Sequence, residues 1–175
     1  KRICSLDFEM LRVVCADMKR WTDGGVTTVP VSVNFSRKHL TNPNLAEDII
    51  STVDSYEVKH DQIVIEFTET ASESDQVRLA QVVKKLEESG IRTSVDDFGS
   101  GYSSMCMIRD IPFNELKLDR SLIESETDDD DRSAAMMKHV IALADELGMS
   151  CIAEGAETED QIKLLEKFEC MRVQG

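Results

Sequence analysis

The polar residues of this 175-residue chain recur at one kind of place, the carboxyl end of short apolar or β-branched runs. Asn34 closes "VSVN", Glu66 stands in "IVIEF", Asp96 and Asp97 close "TSVDD", Lys117 stands in "LKLD", Glu154 closes "CIAE" and Gln174 stands in "RVQG". Adjacent carboxylates raise the cost of ionising one another. The pair Asp96–Asp97 therefore makes chemical sense where divalent cations lie beside it, with Asp96 bridging two ions and Asp97 binding one of them. Four carboxylates, two amides and one lysine form a hard, oxygen-rich set that selects Mg²⁺, Mn²⁺ or Ca²⁺ over zinc or copper. Two such cations in an acidic pocket can accept a phosphodiester, activate a water and stabilise the charge of an in-line displacement.

That chemistry requires elements that bring the six strand ends together. Helical periodicity is read over Ser5–Trp21, with Leu6, Met10, Val13, Val14 and Met18 as its apolar face, and near Leu45–Ser55, Ser74–Ser89, Ser133–Gly148 and Glu159–Lys167. Short runs alternate with these helices: "VPVSVNFS", "IVIEF", "IRTSVDDF", "ELKLD", "SCIAE" and "MRVQG". Gly90 and Gly148 follow helical segments, where a left-handed cap is usual. The alternation predicts parallel β/α units, and a β/α barrel gathers the carboxyl ends of all its strands on one face. The fold class expected is α/β, a TIM-like barrel, in one domain over residues 1–175.

Several other classes are set aside. A formal charge of −14 opposes a groove for duplex DNA or RNA, which relies on Lys and Arg to displace counterions. A small phosphorylated ligand is still compatible if metal ions carry the positive charge. No apolar stretch approaches the roughly 20 residues of a spanning helix, and "KRICSLDFEML" lacks the apolar core of a signal peptide. A cytoplasmic setting fits, as does a cytoplasmic domain of a membrane-tethered protein. The five cysteines are odd in number and widely spaced, so they read as mostly buried free thiols, neither a disulfide framework nor a zinc site. His39, His60 and His139 are isolated and read as surface or core residues. "DFG" at 97–99 lacks the other kinase motifs. The acidic run 126–131 reads as a solvated approach to the helix near Ser133.

Taken together, "VNFS", "EFTET", "VDDFGSGYSS", "LKLDRSLI", "IAEGAETEDQ" and "QG" resemble, in order and spacing, the EAL domain, the bacterial phosphodiesterase that linearises cyclic di-GMP to 5′-pGpG. The resemblance implies that Asn34, Glu66 and Asp96 are metal ligands and that Asp97 completes the coordination of a second metal. It implies that Lys117 stands beside the attacked phosphate and its water, and that Glu154 is the general base or a ligand of the second metal. Glu157 supports that region, Gln174 lines the pocket, and Glu69 anchors the glycine loop. Two divalent cations, Mg²⁺ or Mn²⁺, a homodimer, and an attached diguanylate cyclase (GGDEF) or sensor domain in the parent protein are implied in the same way.

Some features depart from the family pattern. The Glu-Ala-Leu signature precedes the family's equivalent of the first helix and is absent here, and Gly175 falls before the family's final helix. The barrel is thus expected to lack its first strand, with hydrolysis assigned to the intact parent and activity of the chain alone left open. Ser100, Ala156 and "FEC" are smaller departures. Competing readings are a non-catalytic cyclic di-GMP receptor and a structural dimer module. The metal-site residues present favour the enzyme.

Overall fold

The computed structural model describes residues 2–68, 73–100, 105–123 and 131–175. Helix α1 (Arg2–Asp23) leads into strand β1 (Val31–Asn34). Alternation then continues through α2 (Leu45–Ser55), β2 (Ile63–Thr68), α3 (Glu73–Ser89), β3 (Arg92–Phe98), α4 (Met105–Asp110) and β4 (Glu115–Leu118). The chain closes with α5 (Asp131–Glu146), β5 (Ser150–Glu154), α6 (Glu159–Lys167) and β6 (Arg172–Gln174). Each long periodic segment read from the sequence is present. Helix α4 was not anticipated, because six residues are too few for a 3.6-residue repeat to show.

All six strands pair in parallel and in chain order, β1 to β6. Right-handed crossovers taken in that order place the helices on the same face of the sheet. Val33, Ile65, Phe67, Val95, Leu116 and Ala153 accordingly share one core with Leu11, Ile49, Leu79, Leu86, Val140 and Leu165 from the helices. Side chains alternate with period two along a strand, so the residues between these point to the opposite, concave side. Among the described residues β1 and β6 are edges, and six strands fall short of the eight of a closed barrel. The sheet is an incomplete β/α barrel, as the resemblance implied.

The concave side is polar from its base. The register aligns Ser94 with Glu115, and the buried Glu115 carboxylate accepts from Arg92 at 2.6 Å and from Arg172 at 3.1 Å. This ion cluster ties β3, β4 and β6 together beneath the strand ends.

Helix α1 corrects the sequence reading. Of the expected face, Met18 is buried and Val14 packs half-buried against the core, but Leu6, Met10 and Val13 are 61, 50 and 49 % exposed, so the buried stripe is Leu11–Cys15–Met18 and the exposed one Leu6–Met10–Val13. Both stripes have helical spacing, and periodicity alone cannot choose between them. The choice falls to the side on which α2 and β1 pack. The cysteines also differ from expectation: only Cys15 and Cys170 are buried, Cys4 and Cys151 are half-buried, and Cys106 is exposed.

Two histidines have structural partners. His39 is buried between the rings of Phe8 and Phe35, its Nε2 3.0 Å from Asp7 Oδ2. His60 joins the Ser89 carbonyl at 2.6 Å to Asp54 at 2.8 Å. His139 is exposed on α5.

Candidate active site

The strand register decides which strand-end residues can meet. Asn34 pairs with Glu66, Thr68 with Asp96, Lys117 with Ile152, and Glu154 with Gln174. All lie on the concave side near the carboxyl ends. Lys117 Nζ stands at the centre, 2.5 Å from Glu154 Oε1, 3.2 Å from Glu66 Oε1 and 3.4 Å from Asp96 Oδ1. Three strands besides its own therefore send a carboxylate to one ammonium. Burial alone would lower the pKa of Lys117, but the hydrogen bond it donates to Glu154 and the charges of Glu66 and Asp96 outweigh it and hold the amine well above its ordinary range.

Asp97 reaches the group by an irregular route. Strict alternation would turn it to the helix side, away from Asp96. Between Val95 and Phe98 the register slips against β4: three steps on β3 match two on β4, from Leu116 to Leu118. The extra residue is a β-bulge, a device that re-aims a side chain, and Asp97 takes φ 57° within it. Aspartate tolerates this left-handed conformation better than most residues. As a result, carboxylate oxygens of Asp96, Asp97 and Glu154 all lie within 4.8 Å of one another. Burial first, then the charges of Asp96, Asp119 and Glu154, pushes the Asp97 carboxyl above its usual range, and Lys117 only partly offsets them.

The loops after the strands hold these positions. Gly99 follows the bulge with φ 99°, and a Cβ there would stand 2.3 Å from Leu122 Cδ1. Only glycine fits that close approach. After β5, Gly155 donates its N–H to the Gln174 carbonyl at 2.7 Å, and Thr158 with Gln161 forms a reciprocal cap that starts α6. Asp119 turns the chain after β4 by accepting from Ser121 N at 2.9 Å. Sequence reasoning named Lys117 but passed over Asp119, whose charge also acts on Asp97; its place directly after "LKL" was the available signal.

The remaining expected site residues divide. Asn34 and Gln174 lie on the edge strands and are exposed, aligned with Glu66 and Glu154 by register. Glu157 is exposed in the turn before α6, where its backbone N–H donates to Gln161 Oε1 at 2.8 Å; no described contact joins its carboxylate to the cluster. Glu69, Gly101 and residues 126–130 of the acidic run lie outside the described residues.

Among the described residues the centre carries four carboxylates against one ammonium, so negative charge is in excess there. A hard divalent cation answers that excess, and oxygen donors from several strands are the ligands such ions take. The donor set thus fits divalent metal.

A parallel β/α sheet whose carboxyl-end rim concentrates its charged residues places the protein with the β/α-barrel proteins that carry chemistry on that rim. The EAL domain model matches residues 2–175, and the chain belongs to that family. It is 31 % identical over 166 residues to the Pseudomonas aeruginosa bifunctional diguanylate cyclase/cyclic di-GMP phosphodiesterase MucR, covering 95 % of this chain and 24 % of that protein. The chain thus spans about a quarter of that relative's length. Its structure superposes on the MucR phosphodiesterase in complex with c-di-GMP with a TM-score of 0.85 at 30 % identity, covering 98 % of this chain and 69 % of the other. Against the EAL domain of Mycobacterium smegmatis DcpA the TM-score is 0.83 at 28 % identity, covering 94 and 74 %.

Proposed function

We propose that this chain is the catalytic domain of a divalent-metal-dependent phosphodiesterase that opens cyclic di-GMP to linear 5′-pGpG. The observation that carries the reading is the convergence of Glu66, Asp96, Asp97 and Glu154 around Lys117 at one rim of the sheet. The family and the activity in the name of its MucR relative support it.

In this reading Asn34, Glu66, Asp96, Asp97 and Glu154 would hold two cations, Mg²⁺ or Mn²⁺, with Asp97 completing the set for the second. Bound cations would supply charge neutralisation at the phosphodiester and a water of lowered pKa. The protein's own groups do the rest. Lys117 donates to the attacked phosphate or its water from the centre of the site. Glu154, half-buried and bonded to Lys117, ligates or takes a proton from that water. Gln174 and Glu157 line the approach of the nucleotide, and Glu69 anchors the loop after β3. We further read the domain as cytoplasmic, acting as a homodimer beside a diguanylate cyclase or sensor domain; among the described residues no helix is long and apolar enough to cross a membrane.

The direct test is Mn²⁺-dependent hydrolysis of cyclic di-GMP by the purified protein, with 5′-pGpG resolved by chromatography. Turnover that chelator abolishes supports the enzyme. Tight binding without turnover replaces it with the receptor reading, and neither outcome leaves only a structural role.

A further inference from the structure

We propose that Cys151 and Cys170 are a dithiol that oxidises to an intramolecular disulfide, a modification site on the helix side of the sheet. Cys151 is on β5 and Cys170 stands two residues before β6. Cys170 Sγ lies 3.7 Å from the Cys151 carbonyl oxygen and 3.6 Å from that of Arg172, and each of the two thiols shifts the other's acidity. Continued back by one residue, the β5–β6 register sets Cys151 level with Met171 and so one residue from Cys170; strands about 4.8 Å apart with a rise of about 3.3 Å per residue put such diagonal neighbours roughly 6 Å apart, inside the range of about 4.4–6.8 Å that a disulfide spans between Cα atoms. Cys15, by contrast, is buried alone on α1 and has the raised pKa of an inert core thiol, about 11.

Access and reactivity are divided between the two sulfurs. Cys151 is half-buried and lines a cleft of about 630 Å³ between α5 and the segment around Phe168 and Met171. Cys170 is 2 % exposed. Its neighbour Cys151, against the opposing effect of burial and with backbone hydrogen bonds at Arg172 and Ala153, brings the Cys170 thiol down to about 7. The oxidant is a small disulfide such as glutathione disulfide. Cys151 is the less acidic thiol of the pair, held protonated by Cys170 and by burial, so its proton passes to the Cys170 thiolate as its sulfur attacks one glutathione sulfur; the S–S bond breaks, and the departing glutathione thiolate takes up that proton and leaves Cys170 as the thiolate. Cys170 thiolate then attacks the Cys151 sulfur of the mixed disulfide and expels the second glutathione. Two protein thiols are oxidised, and one glutathione disulfide becomes two glutathiones. The bond covalently fastens β6, an edge strand, to β5.

The test equilibrates the unsubstituted chain with glutathione disulfide and maps its peptides without reduction. The expected result is a Cys151–Cys170 cross-link with the loss of two hydrogen masses, reversed by dithiothreitol, unaffected by Cys106→Ser and absent in Cys151→Ser. Separate glutathione adducts on Cys151 and Cys170 would overturn the proposal. So would both thiols staying reduced at glutathione disulfide levels that fully modify the exposed Cys106. The unsubstituted chain decides the matter, so a variant that fails to fold leaves the test intact, and the readout is independent of phosphodiesterase activity.

Discussion

The Lys117 ammonium of β4 and the Glu154 carboxylate of β5 lie 2.5 Å apart, on neighbouring strands whose register aligns Lys117 with Ile152. Lys117 is 9 % and Glu154 21 % exposed at the side chain, so both charges depend on each other more than on water. Replacing Lys117 by Met leaves Glu66, Asp96 and Glu154 uncompensated. In metal-free protein this costs about 3–5 kcal/mol, the usual penalty for breaking a buried pair, read from urea unfolding. On the proposed function, hydrolysis of cyclic di-GMP falls by about 10²–10³-fold, measured with saturating Mn²⁺.

Asp97→Asn separates metal binding from folding. The folded carboxyl has a raised pKa, so its contribution to stability is fully present below its unfolded pKa of about 3.9 and is lost as pH rises through the folded value. The amide cannot ionise. Metal-free D97N is therefore more stable than the parent chain at neutral pH, while the gain in Tm on adding Mn²⁺ shrinks. A D97N protein with the full Mn²⁺ response would show that Asp97 is no ligand.

His60 gives a second pH signature away from the site. Burial opposes its charge, but the Ser89 carbonyl and the Asp54 carboxylate outweigh that and raise its pKa. The stabilisation is fully present below about pH 6.5, the unfolded value, and disappears as pH rises through the higher folded value. His60→Gln flattens the stability profile across that window, as measured by urea midpoints at stepped pH.

Gly99→Ala meets both a left-handed backbone and the Leu122 side chain 2.3 Å away. It destabilises the protein by about 1–3 kcal/mol. Pairing it with Leu122→Ala relieves the collision but not the backbone strain, so the two changes are non-additive. Thermal unfolding of the two single variants and the double variant reads this coupling.

On α1 the two apolar stripes separate cleanly. Leu11→Ala costs about 2–5 kcal/mol, as for a buried leucine, whereas Leu6→Ala and Val13→Ala fall within about 0.5 kcal/mol of the parent. Chemical denaturation of the three variants distinguishes them directly.

Much of the site was legible in the order of residues because a parallel strand followed by a helix has only one economical way to pack. Runs such as "IVIEF" and "TSVDD" end in polar residues, and parallel order makes their ends neighbours without any further information. Asp97 was legible as a residue but not as a geometry. Nothing in "VDDF" distinguishes a regular strand from one with a bulge, since the slip is set by the pairing of β3 with β4. The expected face of α1 holds at Val14 and Met18 and fails at Leu6, Met10 and Val13 for the same reason: Leu6–Met10–Val13 and Leu11–Cys15–Met18 are equally periodic, and only α2 and β1 break the tie. The contact between Cys151 and Cys170 likewise depends on β5 and β6 lying side by side.

By itself, then, the order of amino acids determined the alternating β/α architecture, the family, and which residues stand at the strand ends as candidates, Asn34, Glu66, Asp96, Lys117 and Glu154 among them, because hydrophobic period and strand-end chemistry are local properties. The tertiary structure alone decided that Asp97 turns towards Asp96, that Lys117 is shared among three carboxylates, and which side of α1 is dry. Those outcomes depend on register and on what packs across a face, and both arise only when segments distant in the chain meet.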